Sequence, residues 1–180
     1  NTAPSITCID DQLVVFDENC QFAVGDYNGS AVTGDNCSTV ITVTQSPVAG
    51  TFVSGTETIT LTADDGNGNT ASCSFVVTPA DETDPTIACP TDQDVSLGQD
   101  CGYMLLDYSG MATTDDNCSV TVAVTQDFPA GLITFDTVTV TLIAADGNGN
   151  FASCSFDVNP SDNTDPTVIC PGDQDVDFDT

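Results

Sequence analysis

Residues 63–75 read Ala63-Asp64-Asp65-Gly66-Asn67-Gly68-Asn69-Thr70-Ala71-Ser72-Cys73-Ser74-Phe75, and strand-like alternation flanks the Asp-Gly and Asn-Gly pairs on both sides. Such pairs favour the tight turn of a β-hairpin because their residues tolerate positive φ angles. Nearly the same sequence returns at residues 144–156. Each copy is therefore predicted to be the last hairpin of a β domain.

Outward from these hairpins, the chain repeats itself with a period of 81 residues and no gap. The cysteines show the period most clearly, since Cys8, Cys20, Cys37 and Cys73 recur as Cys89, Cys101, Cys118 and Cys154. A fixed long period is typical of tandem domains of one kind. We predict repeats at residues 1–82 and 83–163, with residues 164–180 as the opening strand of a third. Cys170 corresponds to Cys8, so its partner is expected outside this sequence, which is interpreted as a window on a longer array.

The composition excludes several classes of function. The chain contains no Lys, Arg or His against 28 acidic residues, so it has no cationic side chain to bind the phosphates of nucleic acid or an anionic membrane. Without His or Lys, the usual bases that activate a nucleophile are also absent, and no enzymatic activity is expected. Nearly all of the acids are Asp, a short carboxylate that forms turns and ligates Ca²⁺.

Nine cysteines at repeating intervals indicate disulfides and an extracellular or cell-surface location. Zinc is the competing interpretation, but the chain has no His and no C-x-x-C pair. The sequence also shows no signal peptide and no apolar run long enough to span a bilayer, as expected of a segment from within a mature secreted protein.

Each repeat is expected to fold as an all-β, immunoglobulin-like sandwich. About seven short alternating runs with turn residues between them, and no helical period, predict this class. The alternation also suggests that all four cysteines of a repeat lie in phase with core residues. The expected inward rows include Ile59, Leu61 and Ala63 facing Cys73, Phe75 and Val77, and also Cys118, Val120, Val122 and Val124.

Four cysteines in a repeat allow three pairings. Cys8 lies in the first strand and Cys73 in the last, and these strands are commonly neighbours in an immunoglobulin-like sandwich. This predicts Cys8–Cys73 and leaves Cys20 for Cys37. The period then gives Cys89–Cys154 and Cys101–Cys118 in the second repeat.

Four motifs in the second repeat occur together in the order and spacing of a known family. They are Asp84-Pro85-Thr86-Ile87-Ala88-Cys89-Pro90, Asp116-Asn117-Cys118, Pro129-Ala130-Gly131, and residues 145–150 before Cys154-Ser155-Phe156. With these motifs the chain resembles the hyalin repeat (HYR) family. The resemblance implies immunoglobulin-like modules of extracellular proteins, found in animal matrix and adhesion proteins and in long tandem arrays of bacterial surface proteins. Family members with two cysteines keep those matching Cys8 and Cys73, which favours that pair. The four-cysteine form resembles the bacterial variety.

The acidic residues converge at the joints between repeats. In an immunoglobulin-like sandwich the last hairpin tip, the loop between the second and third strands and the incoming linker lie at one end. Asp and Asn oxygens gathered in this way are typical Ca²⁺ ligands, although the same residues could simply form turns at a solvated acidic end. The candidate ligands at the second repeat are Asp81, Glu82, Asp84, Asp115, Asp116, Asn117, Asp146, Asn148 and Asn150. Those at the first repeat are Asp35, Asn36, Asp65, Asn67 and Asn69, and those at the third are Asp162 and Asp165.

The predicted function is mechanical. We expect a stalk or fibre segment of a large, bacterial-type surface adhesin or filament, with Ca²⁺ stiffening its joints and with neighbouring repeats, or other copies in a fibre, as partners. The alternative is an adhesion module that binds a glycan or protein. That alternative would use aromatic side chains particular to the second repeat, namely Phe128, Phe135 and Phe151, which could equally reflect ordinary surface variation.

Overall fold

The computed structural model describes residues 2–173, which contain sixteen β-strands, one short 3₁₀ turn at Ser109–Met111 and no α-helix. The first repeat contains β1 (Ser5–Thr7), β2 (Gln12–Val15), β3 (Phe22–Ala23), β4 (Val32–Gly34), β5 (Thr42–Ser46), β6 (Phe52–Val53), β7 (Glu57–Asp64) and β8 (Thr70–Ala80). The second contains β9 (Thr86–Ala88), β10 (Gln93–Ser96), β11 (Tyr103–Met104), β12 (Thr113–Asp115), β13 (Ala123–Gln126), β14 (Ile133–Thr134), β15 (Val138–Ala145) and β16 (Phe151–Ser161).

Each repeat is built on one four-stranded sheet. In the first repeat its order is β2-β8-β7-β5, and the second repeat gives β10-β16-β15-β13. The pairing is antiparallel except at the edge, where β2 runs parallel to β8 and β10 runs parallel to β16. Two-stranded ribbons complete each repeat, β1 with β4 and β3 with β6, matched by β9 with β12 and β11 with β14. The predicted all-β sandwich class is confirmed.

The two repeats have separate cores of the same design. The predicted hairpin rows are inward, with Ile59 opposite Phe75 and Leu61 opposite Cys73, and these apolar side chains are buried or half-buried. One tyrosine packs edge-on against a phenylalanine in each core. Tyr27, after β3, contacts Phe75 with 5.0 Å between ring centroids, and Tyr108, after β11, contacts Phe156 at 5.2 Å. No helix within residues 2–173 is long and apolar enough to cross a membrane.

Three disulfides are present, and one of them differs from the prediction. Cys8–Cys73 and Cys89–Cys154 each cross-link one repeat, with Cα atoms 5.7 Å apart. The third joins Cys20 of the first repeat to Cys118 of the second. The predicted pairs Cys20–Cys37 and Cys101–Cys118 are therefore wrong, and Cys37, Cys101 and Cys170 carry free thiols.

Distance explains why Cys20 cannot pair within its own repeat. The turn before β3 lies at the end of β8 marked by Ala80, because the Phe16 amide donates to the Ala80 carbonyl at 3.0 Å. The loop that holds Cys37 lies at the other end, where the Ser38 hydroxyl donates to the Asp65 carbonyl at 3.0 Å. Eleven residues of β8 separate these ends, a span of about 30 Å, whereas disulfide-bonded Cα atoms lie within about 7 Å of one another.

The predicted inward row of Cys118, Val120, Val122 and Val124 is wrong in its first part, although Val124 does pack against the core. Strand β13 begins only at Ala123, so the residues before it form a loop, and Val120 is fully exposed. Cys20 and Cys101 are likewise not strand residues, since each lies in a turn with a positive φ angle, 54° and 58°. Residues 164–173, in the predicted opening of a third repeat, form no strand, and residues 174–180 lie outside the described part of the chain.

Candidate metal site at the joint

Four segments meet where the first repeat passes into the second, and we call this region the joint. They are the linker, residues 81–85; the turn of the first repeat, residues 17–21; the loop of the second repeat, residues 115–119; and its hairpin tip, residues 146–150. The linker is short because β8 ends at Ala80 and β9 begins at Thr86. The repeats are consequently close enough for direct hydrogen bonds between them.

The hairpin tip is ordered around the carboxylate of Asp146, which is only 6% exposed. Its Oδ1 accepts the backbone N–H groups of Asn148, Gly149 and Asn150 at 2.8, 3.1 and 3.1 Å. Its Oδ2 accepts the side-chain amide of Asn150 at 2.6 Å. Burial raises the pKa of Asp146, but these hydrogen bonds lower it more, so that the pKa lies below its usual range and the group is anionic at neutral pH.

The linker is held against this tip. The Asn148 amide donates to Asp81 Oδ2 at 3.0 Å, and the Asn150 amide donates to the Asp81 backbone carbonyl at 3.2 Å. The Phe151 amide donates to Asp84 Oδ1 at a longer 3.4 Å. Two asparagines of the tip thus position the carboxylate that directly follows the last strand of the first repeat.

The loop supplies the third carboxylate. Asp116 Oδ1 accepts the amides of Cys118 and Ser119 at 3.0 and 2.6 Å, while the Ser119 hydroxyl donates to the Asp146 carbonyl at 2.8 Å. Asp116 Oδ2 is buried and has no hydrogen-bond partner, and the same is true of Asn117 Oδ1. The Asn117 amide nitrogen reaches back to the first repeat and donates to the Asp17 carbonyl at 3.0 Å.

Asp81, Asp116 and Asp146 each offer one carboxylate oxygen, and these oxygens lie within 4.8 Å of one another. The chain has no Lys, Arg or His to neutralise them. Oxygens around one Ca²⁺ lie about 2.3–2.6 Å from the ion, so ligands on opposite sides of it are about 5 Å apart. The spacing, the hard oxygen donors and the unpartnered Asp116 Oδ2 all fit a bound Ca²⁺.

The other predicted ligands belong to the second repeat, to the first repeat and to the predicted third repeat. Around the second repeat, Asn117, Asn148 and Asn150 lie at the joint, Asp84 hydrogen-bonds the hairpin instead of joining the cluster, and Glu82 and Asp115 are exposed. In the first repeat, Asp65 has the same arrangement as Asp146, with Asn67 and Asn69 in its turn. The hydrogen bond from Asn69 lowers the pKa of Asp65 by more than burial raises it.

The first repeat nevertheless lacks a full cluster among the described residues. Asp35 also has a buried oxygen without a partner, but no carboxylate of residues 2–173 faces it as Asp81 faces Asp116. Asn36 is exposed and accepts a hydrogen bond from the Thr2 hydroxyl at 2.6 Å. Asp162 and Asp165 are exposed. Of the three predicted sites, only the one at the joint has three carboxylates brought together in residues 2–173.

The disulfide Cys20–Cys118 lies beside this cluster and was not predicted. It joins the turn to the loop with a Cα–Cα distance of 4.9 Å. The sequence did contain a signal for it, because a sandwich places the turn after β2 and the loop before β5 at opposite ends. A cysteine at the far end of one repeat and a cysteine at the near end of the next are the two that can meet.

Residues 1–79 match the HYR domain family. Over 187 aligned residues the chain is 32% identical to the protein Hyalin of Strongylocentrotus purpuratus, covering 96% of this chain and 15% of that protein. It is 34% identical over 151 residues to Hyalin of Lytechinus variegatus, covering 77% of this chain and 27% of the relative. The chain thus spans between 15% and 27% of the length of these relatives. In agreement with these matches and its disulfides, the chain is extracellular.

Solved structures of protocadherin and cadherin ectodomains align with this chain at low sequence identity. The crystal structure of human mucin-like protocadherin EC1-2 aligns with a TM-score of 0.43 and 10% identity, covering 88% of this chain and 98% of that one. The protocadherin gammaB4 extracellular domain gives a TM-score of 0.45 and 16% identity, with coverage of 88% and 32%. Human CDH23 EC21-23 gives 0.43 and 15%, with coverage of 88% and 64%.

Proposed function

We propose that this hyalin-like extracellular chain is a segment of a stalk or fibre in which residues 1–82 and 83–163 are successive domains and Ca²⁺ stiffens the joint between them. One observation carries the proposal: three carboxylates from the linker, the loop and the hairpin tip meet within 4.8 Å in a chain without a cationic side chain. Mutual repulsion would drive such a cluster apart, so a divalent cation is the natural neutralising partner.

Each carboxylate would tie a different segment to the ion. Asp81 directly follows the last strand of the first repeat, whereas Asp116 and Asp146 belong to the second. An ion held by all three would therefore connect the end of one repeat to two loops of the next. Asn148 and Asn150 orient Asp81 through its side chain and its backbone carbonyl. The Ca²⁺ supplies charge neutralisation and cross-linking, and no residue is assigned a catalytic role.

The same design would serve further joints of an array. Asp162 and Asp165 stand one period after Asp81 and Asp84, so they would supply linker carboxylates to a third repeat beginning near residue 164. Neighbouring repeats of the same chain, and other copies within a fibre, are the partners this proposal names. A bacterial origin is a prediction from the four-cysteine form of the repeat.

A ligand-binding adhesion module is the second candidate. Its supporting observation is that Phe135 and Phe151 are about 60% exposed and Phe128 is 37% exposed. These rings are not gathered in one site, however, because Phe151 lies beside the linker through Asp84 while Phe135 lines a separate groove with Gly102 and Met104. We therefore favour the mechanical role.

A calcium titration of the EDTA-treated chain tests the proposal, with binding heat and thermal melting followed together. We expect saturable binding and a higher melting temperature with Ca²⁺. Asp116→Asn should abolish this rise because it removes one charge of the cluster and alters no shape. Asp35→Asn is the matched control, since Asp35 holds the same loop in the first repeat but belongs to no carboxylate cluster within residues 2–173. No binding at millimolar Ca²⁺, or an equal loss in both variants, would contradict the site.

A further inference from the structure

The cysteines of the joint form a pattern that extends beyond the one disulfide they make. Cys20 is the turn cysteine of the first repeat and Cys118 is the loop cysteine of the second. The period of 81 residues makes Cys101 the turn cysteine of the second repeat and Cys37 the loop cysteine of the first. Both of these thiols are free and exposed. The two unpaired cysteines thus correspond to the two cysteines that form the disulfide at the joint.

Both free cysteines are already held in the conformation of their bonded counterparts. Cys101 has a φ angle of 58° against 54° for Cys20, and each amide donates at 3.0 Å to the carbonyl three residues earlier, that of Gly98 or Asp17. The loop of Cys37 is closed by Asp35 Oδ1, which accepts the Cys37 and Ser38 amides at 2.8 and 2.6 Å. Asp116 closes the loop of Cys118 in the same way. Forming a disulfide at either thiol would therefore require little further ordering of the backbone around it.

The surface around Cys101 also corresponds to the surface that the joint covers. Around Cys20, a cleft is lined by Ser54 of the first repeat and by Cys118 and Asn148 of the second. Phe135 stands one period after Ser54 and lines an open groove of about 350 Å³ beside Cys101. Met104, Ile133 and Phe135 in this groove are each at least 60% exposed. In the first repeat, the corresponding face contacts the second repeat. The groove therefore lies on the face of the second repeat that would contact a following repeat.

We propose that every joint of the array is closed by a disulfide between the turn cysteine of one repeat and the loop cysteine of the next. Cys101 is the attachment point for a following repeat that carries an Asp-Asn-Cys loop and is connected by the same linker, and Cys37 receives a preceding repeat. This inference rests on the array organisation proposed above, but not on Ca²⁺. It makes the array a chain of covalently locked joints, in which each repeat also carries its own internal disulfide.

The bond would form by thiol–disulfide exchange with a small disulfide such as oxidised glutathione. The Cys101 thiolate attacks one glutathione sulfur, forming a mixed disulfide and releasing one glutathione thiolate. The loop thiolate of the following repeat then attacks Cys101 Sγ and releases the second glutathione. Two protein thiols are oxidised and one glutathione disulfide is reduced, and the two protons that the protein thiols lose end on the two glutathione thiols.

A chain extended by one repeat tests this pairing. It consists of residues 1–163 followed by a second copy of residues 83–180, which preserves the period across the new joint. It is refolded in a glutathione redox buffer with EDTA, so that the result does not depend on Ca²⁺. Free thiols are then counted and the disulfides are mapped after cleavage at aspartate, since the chain has no Lys or Arg for trypsin.

We expect the extended chain to show no more free thiols than the parent, and a cross-linked peptide joining a Cys101 to a Cys118. The first copy's Cys101→Ser should eliminate this cross-link, whereas the second copy's Cys101→Ser should leave it intact. Two additional free thiols, or a cross-link that is lost only with the second copy's Cys101, would overturn the proposal. Failure of calcium binding with this cross-link present would reject the ion alone.

Discussion

At the scale of single residues, the two repeats provide internal controls for one another. Asn36 and Asn117 occupy the same place in the same loop, yet Asn36 is exposed whereas Asn117 is half-buried and bonds to the Asp17 carbonyl at 3.0 Å. The difference arises because the first repeat covers the loop of the second. The comparison identifies the joint as an interface, since Asn117 and Cys118 are half-buried whereas Asn36 and Cys37 are exposed.

Tyr103 offers a second comparison of this kind. Its hydroxyl is buried without a partner, and the first repeat has Phe22 at the same place. We expect Tyr103→Phe to raise the free energy of unfolding by about 1 kcal/mol, because an unsatisfied buried hydroxyl is destabilising. Burial, with a further contribution from Tyr108, raises the pKa of Tyr103 above its usual 10.0. The neutral form is therefore favoured by the fold, and the wild-type chain should lose stability as the pH rises past 10.

Urea denaturation at neutral pH and at pH values above 10, with the exposed thiols alkylated, measures both effects. The variant should be more stable than the wild type at neutral pH and lose less stability in alkali. A less stable variant at neutral pH would show that the hydroxyl has a partner, and an identical alkaline slope would show that other groups cause the loss.

At the scale of elements, the tip of the β15–β16 hairpin contributes both to stability and to the candidate metal site. Gly147 has a φ angle of 89° and nothing within 4 Å of an added Cβ, so only backbone strain opposes a substitution. We expect Gly147→Ala to lower the free energy of unfolding by about 1–2 kcal/mol, because L-residues disfavour this region. Gly55→Ala is the control: it has equally open space and no positive φ, and the second repeat carries Asp136 there.

Urea denaturation in EDTA measures this difference without a contribution from bound metal. A change for Gly55→Ala within about 0.5 kcal/mol is expected of an unstrained surface position. Equal losses in the two variants would mean that the positive φ angle of Gly147 does not determine the stability of the hairpin.

Features with a local sequence signal could be predicted, whereas features that depend on the position of a turn in the fold could not. The hairpins and their core rows were predictable because strand alternation and the Asp-Gly and Asn-Gly turns are local signals, as the facing of Ile59 and Phe75 shows. The convergence of Asp81, Asp116 and Asp146 was also within reach once a sandwich was assumed. The partner of Cys20 was not, because alternation suggested that the cysteine lay within a strand. Its pairing depends instead on which end of the repeat the turn occupies.

At the scale of the whole molecule, one short joint carries a covalent restraint and a candidate metal site. The disulfide Cys20–Cys118 ties the turn to the loop, and the proposed Ca²⁺, held by the carboxylate cluster, would connect the linker to the loop and the hairpin tip. Direct hydrogen bonds, such as that from Asn117 to Asp17, act in addition. Because the disulfide holds the repeats together with or without metal, a test of calcium stiffening on the native chain alone would underestimate the contribution of the ion.

The double variant Cys20→Ser/Cys118→Ser separates the two restraints. Residual dipolar couplings measured for each repeat report whether both repeats share one alignment tensor, as a rigid joint requires. With the disulfide intact, we expect a shared tensor in both Ca²⁺ and EDTA. In the double variant, the tensors should agree in Ca²⁺ and diverge in EDTA, because the hydrogen bonds from Asn148 and Asn150 to Asp81 are weaker restraints than an ion held by three carboxylates. Agreement in EDTA would assign the rigidity to the remaining direct contacts, and divergence in Ca²⁺ would show that the disulfide alone aligns the repeats.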